Sequence, residues 1–243
     1  MPRFYCSVPL DAHQTIELPP ELAHHAVRVL RLKTGAPLIL FDGRGGQYPA
    51  TLAVDGKKSY ATLGAHCAAE AELDGDITLA QGIASADKMD WIVEKAVELG
   101  ARRLVPIAAH RSLLQLSGER LEKRLAHWNR IARSASEQCG RNRVMPVAAP
   151  LPLRDCLAQL DFNADGQGLF CHPDAPRTLA GSLRAGVSRL TLFVGPEGGW
   201  SDEEQSLATR AGAQPVRFGN RVLRTETAGL ALIAAISALR GWQ

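Results

Sequence analysis

FVGPEGGWSDEE, Phe193 to Glu204, reads as the end of a strand, a glycine-rich turn and the start of a helix. That layout often cradles phosphate, because a helix N-terminus offers unpaired N–H groups and a positive dipole end. The residues argue otherwise. The turn lacks the Lys and Ser/Thr of a nucleoside triphosphate loop, and neither G-x-x-x-x-G-K-[ST] nor G-x-G-x-x-G occurs in the chain. Ser201 and Glu204 have the spacing of a capping box, which partly satisfies the first N–H groups of the helix internally and leaves fewer donors for an anion. Asp202, Glu203 and Glu204 would repel an anion. Gly195 and the Gly198-Gly199 pair permit positive φ and close backbone approach to a ligand. A neutral ligand held mostly by backbone suits this turn, although a plain βα turn rich in Gly and Pro has the same composition.

Working outward, strands and helices alternate on both sides of the turn. ITLAQGIA (77–84) reads as a strand, with Ser85 capping a helix that runs to Leu99 and places Met89, Ile92, Val93 and Ala96 on one face. RRLVPIA (102–108) is the next strand, parallel to the first if both share a sheet. A basic helix from Glu119 to Cys139 follows, with an apolar stripe of Leu121, Leu125, Trp128, Ala132 and Ala135. Next come a short helix at Leu153–Leu160, the strand GLFCH, a helix at Leu179–Arg184 and the strand RLTLFV that enters the turn. Helix SDEEQSLATRAG, strand PVRF, loop GNRVLR and a helix from Thr225 to Leu239 close the chain. This half is α/β with a mostly parallel sheet.

The first seventy residues are different. RFYCSV, APLILFD, QYPATLAV and SYATLGAH read as strands, with one helix from Pro20 that stops before Gly35. Together they indicate a small barrel-like β domain, 1–72, joined through the polar CAAEAELDGD to an α/β domain, 73–243.

Composition sets the remaining bounds. At 243 residues, 46% hydrophobic and 22% charged, the chain can bury a full core. Its opening MPRFYCSVPLDAHQ has no long apolar stretch, so no secretory signal is expected. AGLALIAAISAL (Ala228 to Leu239) is too short for a bilayer and fits a helix buried in the core or against another subunit. Five scattered cysteines argue against a disulfide framework or zinc and for a reducing cytoplasm. Residues 101–143 hold ten Lys/Arg against three acids, a segment suited to phosphate contacts.

Ligands of open α/β sheets collect beyond the carboxyl ends of the strands. Besides the opening turn, two such ends are unusual: Phe170-Cys171-His172-Pro173, and Gly219-Asn220-Arg221-Val222-Leu223-Arg224. Arg224 and Glu226 could form a salt bridge or do chemistry, and Glu226 also suits the helix dipole. Glu137, Gln138 and Arg141 read as the solvated end of the basic helix, and Lys88, Asp90, Glu94, Lys95 and Glu98 as a solvated face. Cys171-His172 has no partner at a nucleophile's spacing.

GPEGGWSDEE followed by FGNRVLRTETAGLALIAAI resembles the ribosomal RNA small subunit methyltransferase E family, 16S rRNA uracil-N3 methyltransferases of the SPOUT superfamily. RFY, HHAVRVLR, DGRGGQY, KMDWIVEKAVELGARRLVPI and SASEQCGRNRVMPV agree in the same order, so the resemblance spans the chain. It implies a PUA-like β-barrel ahead of a SPOUT-type α/β methyltransferase domain with a deep trefoil knot, acting as a homodimer in the cytoplasm. It places S-adenosylmethionine against Phe170, Gly195, Pro196, Glu197, Gly198, Gly199, Phe218, Gly219, Asn220, Arg221, Val222, Leu223 and Ala228. No metal and no membrane are implied. Arg224 would stabilise a uracil anion, with Glu226 or Glu197 as base or orienter. Arg3, Arg28, Arg31, Arg130, Arg133, Arg141 and Arg143 would hold RNA phosphates of the small subunit. A non-catalytic RNA-binding or ribosome-assembly protein would use the same basic surface, and a nucleotide-dependent oxidoreductase lacks its fingerprint.

Overall fold

The computed structural model describes residues 1–112, 114, 116–160, 162 and 165–243. The chain forms two compact units, Met1–Glu72 with Ser136–Val144, and Leu73–Ala135 with Met145–Gln243.

In the first unit, β1 (Arg3–Tyr5), β2 (Thr15–Glu17), β3 (Pro37–Phe41), β4 (Tyr48–Asp55) and β5 (Lys58–Leu63) form one sheet in the order β1-β3-β4-β5-β2. β1 runs parallel to β3, and the other neighbours are antiparallel. Alternation sets the buried face: Ala50 and Leu52 of β4 point inward while Thr51 is exposed. Phe4, Leu38, Leu40 and Leu63 complete this core with Leu22 and Ala26. The sequence reading places no strand at β2, because three residues with one buried side chain, Ile16, carry no periodic signal.

The helix after Pro19 also differs from expectation. α1 (Pro20–His24) gives way to a π-helical turn, His25–Val29, in which the Leu30 N–H reaches the His25 carbonyl at 3.0 Å. Arg31 (φ 54°), not Gly35, ends it, taking the left-handed position that usually falls to glycine while the Leu32 N–H closes on the Ala26 carbonyl.

Residues 136–144 group with the first unit by their contacts, although they follow the α/β elements in the chain. The bonds that hold them are polar. The Tyr5 N–H donates to Glu137 Oε1 at 2.8 Å, Arg3 Nη2 to Asn142 Oδ1 at 2.7 Å, and Asn142 Nδ2 to the Ala69 carbonyl at 2.5 Å. Arg141 grips Glu72 with two bonds of 2.9 and 2.6 Å.

The second unit contains β6 (Asp76–Gly82), α2 (Ala86–Glu98), β7 (Arg103–Ile107), α3 (Gly118–Cys139, its last turn in the first unit), α4 (Leu153–Ala158), β8 (Gly166–Cys171), β9 (Arg189–Val194), α5 (Asp202–Arg210), β10 (Gln214–Val216) and α6 (Thr225–Arg240). The sheet is wholly parallel, in the order β10-β8-β9-β6-β7. Helices cover both faces, so the strands are nearly continuous apolar runs; β9 is buried throughout after Arg189. On one face Ala80, Val105, Phe170 and Phe193 pack against Leu153 and Leu157 of α4 and Ala208 of α5. On the other lies α6, whose Gly229 comes so close that an added Cβ would sit 3.0 Å from Leu79 Cδ1. α2 packs beside α6 and buries Met89, Ile92, Val93 and Ala96, the face its spacing predicts.

No helix forms at Leu179–Arg184; the segment is a series of turns. Buried Gln167 of β8 captures the backbone that a helix would use, donating to the Ser182 carbonyl at 2.7 Å and accepting from the Arg184 N–H at 3.1 Å. Gly181 further lowers helix propensity there.

Candidate active site

Beyond the carboxyl ends of β8 and β9, and against the first turn of α6, lies a cavity of about 690 Å³. This is the position at which parallel α/β sheets bind ligands, and the volume suits a small molecule. Gly195, Pro196, Glu197, Gly199, Val222, Leu223, Arg224 and Ala228 line it, and Phe218 and Arg221 line a small adjoining recess. Val222 is 79% exposed, an apolar side chain held at the rim with nothing of the protein over it.

Other expected contacts lie elsewhere. Phe170 is 2% exposed, with its ring 5.1 Å from Trp200 and 6.2 Å from Phe193, so it backs the wall and the next residue, Cys171, lines it. Gly219 and Asn220 are exposed and do not line the cavity. In the turn only Gly199 has positive φ, 68°. At Gly198 the constraint is space, since a Cβ would stand 2.9 Å from Arg111 Cβ. The close approach is thus to the protein's own backbone as much as to a ligand.

The capping box forms as its spacing implies. The Glu204 N–H donates to Ser201 Oγ at 3.2 Å and the Ser201 N–H to Glu204 Oε2 at 2.9 Å. Glu204 Oε1 also accepts from the His110 N–H at 2.9 Å. With two of its N-terminal donors taken and three acidic side chains in its first turn, the α5 start is a poor anion site. Ser201→Ala is expected to lower stability by about 1 kcal/mol, seen as a lower denaturation midpoint with an unchanged denaturant slope.

A buried amide joins the two sides of the cavity. Gln81, fully buried at the end of β6, donates to Thr225 Oγ1 at 2.9 Å, and the Thr225 hydroxyl donates to the Gly195 carbonyl at 2.5 Å. The first turn of α6 is thereby tied to the β9–α5 turn.

The charges are paired in a way the sequence did not display. Glu197 Oε1 accepts from the Ser85 N–H at 3.0 Å. Ser85 is the N-cap of α2, as expected, but its side chain makes no capping bond. Lys88 Nζ lies 3.3 Å from Glu197 Oε1 and 3.5 Å from Glu226 Oε2. Burial pushes the Glu197 carboxyl up, but hydrogen bonds from the Ser85 and Glu197 backbone, the Ser85 side chain and Lys88 outweigh it and hold the group below the usual carboxylate range. Glu197 is therefore a fixed anion and a weak proton acceptor. Among the described residues Arg224 forms no ion pair, so the Arg224–Glu226 salt bridge is not made; Arg224 is exposed at the N-cap of α6, on the cavity wall.

Lys88, Arg111, Asp174, Trp200 and Asp202 also line the cavity, and sequence reasoning missed them. Cys171 and His172 sit there too. Burial pushes the Cys171 thiol up to about 11, which keeps it protonated and unsuited to nucleophilic attack. Among the described residues no cluster of His, Cys, Asp and Glu could hold a metal, and no helix is long and apolar enough to cross a membrane.

The arginines expected at RNA divide into free and engaged groups. In the first unit Arg28 and Arg31 are exposed. Arg143 pairs with Glu70 at 3.4 Å, and Arg3 is held by Gln47, the Gly140 carbonyl and Asn142. Arg141, 2% exposed and locked to Glu72, is a structural cation and not part of a solvated helix end. In the second unit Arg130 is exposed, and half-buried Arg133 bonds the Asn129 carbonyl.

An RNA methyltransferase domain matches residues 71–237, and an RNA methyltransferase PUA domain matches residues 18–62. A ribosomal RNA small subunit methyltransferase E of Synechocystis is 34% identical over 228 residues, covering 93% of this chain and 73% of that protein. The Bacillus subtilis protein of the same name is 32% identical over 238 residues, covering 94% and 91%. The chain belongs to the ribosomal RNA small subunit methyltransferase E family. A crystal structure of the Neisseria gonorrhoeae family member bound to S-adenosyl methionine superposes with a TM-score of 0.91 at 38% identity, covering 98% of both chains. A Legionella pneumophila methyltransferase in complex with the same cofactor has a TM-score of 0.91 at 30% identity, covering 97% of this chain and 96% of that one.

Proposed function

We propose that the chain is an S-adenosylmethionine-dependent methyltransferase that modifies N3 of a uridine in the 16S rRNA of the small ribosomal subunit. The observation that carries this reading is the cavity of the second unit, in a family whose solved members of the same fold are described with that cofactor. The wall fits the group. Trp200, Val222, Leu223 and Ala228 suit an adenosine, while Glu197, Asp174 and Asp202 suit a molecule that carries a sulfonium and an ammonium. Gly195, Pro196, Gly199, Val222, Leu223 and Ala228 would hold it, and when bound it supplies an activated methyl whose transfer leaves a neutral thioether.

The chain's own residues then perform three tasks. The walls exclude water and align the acceptor nitrogen, since an activated methyl needs mainly in-line geometry. Arg224, free of any partner among the described residues, faces the negative charge that develops on uracil as N3 loses its proton. Glu226, on the first turn of α6, takes that proton, while Glu197, bonded to the Ser85 N–H, orients the turn. Because uracil N3 is engaged in paired RNA, the target is an unpaired or flipped nucleotide.

The second unit is read as a SPOUT-type α/β domain with a trefoil knot and the first as a PUA-like barrel that binds RNA, consistent with the PUA match. Arg28, Arg31 and Arg130 are the phosphate contacts that remain available. The exposed stripe Ala234, Ala238 and Leu239 on α6 fits a homodimer interface. Cytoplasm is the compartment in which ribosomal RNA is met.

Titration with S-adenosylmethionine followed by labelled-methyl transfer to undermethylated small subunits and to naked 16S rRNA tests the reading. Saturable binding, transfer that weakens with salt, and recovery of the label as N3-methyluridine are expected. RNA binding without cofactor binding would leave an assembly protein, and label at another atom would overturn the position proposed.

A further inference from the structure

Lys88 stands where a lysine is not expected to stand. It is in the first turn of α2, where the helix dipole disfavours a cation. Its side chain is 28% exposed, so solvent alone does not explain it. Its ammonium lies between two carboxylates from distant parts of the chain, Glu197 on the β9–α5 turn and Glu226 on the first turn of α6. Those carboxylates are themselves only 22% and 21% exposed. Glu226 Oε2 is buried with no hydrogen-bond partner, leaving Lys88 as its counter-ion.

We infer that Lys88 is a positioning residue of the methyl-transfer site, a single ammonium that bridges Glu197 and Glu226 and so holds two walls of the cavity together. The inference rests on the cofactor reading of the cavity. Both bridged segments carry wall residues, Gly195 to Gly199 on one side and Arg224 to Ala228 on the other. Removing the ammonium leaves two like charges facing each other in a partly desolvated space, and like charges so placed repel or force one group to protonate. Gln81 and Thr225 link the same two segments through neutral hydrogen bonds from beneath. Lys88 adds the second tie, so the segments are held at two points and cannot pivot about one. The Glu226 carboxylate is thereby held in place by a residue that acts through it and not on the substrate.

The test compares Lys88→Met, Lys88→Arg and Lys88→Met/Glu226→Gln in the full chain. Hydrogen–deuterium exchange of residues 195–199 and 224–228 is followed without ligand, and S-adenosylmethionine affinity by calorimetry. Lys88→Met should speed exchange in both segments and weaken cofactor affinity roughly fivefold, the scale of a partly exposed ion pair. Lys88→Arg should restore both. The double variant should recover much of the affinity, since one of the repelling charges is gone, although its turnover stays low. Unchanged exchange in Lys88→Met would overturn the bridge, as would a double variant that binds more weakly than Lys88→Met. A wild-type protein that bound no cofactor would instead defeat the reading of the cavity, while the ligand-free exchange would still decide the bridge.

Discussion

Arg224→Ala is expected to lower single-turnover methyl transfer about 100- to 1,000-fold, the range lost when one donor to a developing anion is removed, with cofactor affinity nearly unchanged. The expectation comes from position and pairing. Arg224 occupies the N-cap of α6 with extended backbone (φ −64°, ψ 154°) and makes no side-chain capping bond. Glu226, the acid two residues on, is paired with Lys88. A cation that neutralised its neighbour would cost stability when removed and would affect binding of all ligands alike. A cation aimed at charge that appears only during the reaction changes the rate and little else. Lysine at this position should recover part of the rate, because it supplies charge without the planar guanidinium fork. Equal losses in cofactor affinity and rate would assign Arg224 to ground-state binding.

The second large effect is on stability. Arg141→Ala is expected to cost about 3–5 kcal/mol, the range for removing one partner of a buried ion pair. The Arg141 and Glu72 side chains are 3% and 13% exposed, and two hydrogen bonds of 2.9 and 2.6 Å join them. Removing the guanidinium takes two hydrogen bonds from a nearly buried carboxylate, so much of the cost lies in Glu72 losing them. Arg141→Met/Glu72→Leu should therefore recover much of the loss, since an apolar pair of similar volume avoids the desolvation of both charges. Chemical denaturation checks both variants. An Arg141→Ala protein of normal stability that bound RNA poorly would return Arg141 to the phosphate contacts.

These two arginines mark how far residue order carries. Most strands were legible as apolar or alternating runs bounded by turn residues, and the buried face of α2 by its period of about 3.6. The capping box was legible because its partners stand three residues apart. Lys88 was not, since its partners Glu197 and Glu226 are supplied by later elements and its own neighbours suggest an ordinary solvated helix face. Arg141 was obscured in the same way: a basic residue just past a basic helix looks solvated until Glu72 is brought against it. Gln167 removed the short helix at Leu179–Arg184 by a side-chain competition that no propensity scale contains. Gly195, Glu197 and Leu223, expected at a cofactor from turn chemistry and family resemblance, lie on the cavity wall. Asp174 and Trp200 were missed because neither marks itself as a ligand contact by spacing.

The hydrogen bond from Gln81 to Thr225 spans 144 positions of the chain. During synthesis Gln81 leaves the ribosome long before α6 exists, and until that helix docks the amide has the neighbouring Gly82 carbonyl at 3.0 Å but not Thr225. Contacts of such separation form late, because chain closure must be met before they reward it. The cavity wall includes Val222 to Thr225 and Ala228, so it is complete only once the start of α6 is in place. An enzyme arranged this way closes the pocket for its methyl donor among the last events of folding, so ligand binding reports that the C-terminal helix has docked.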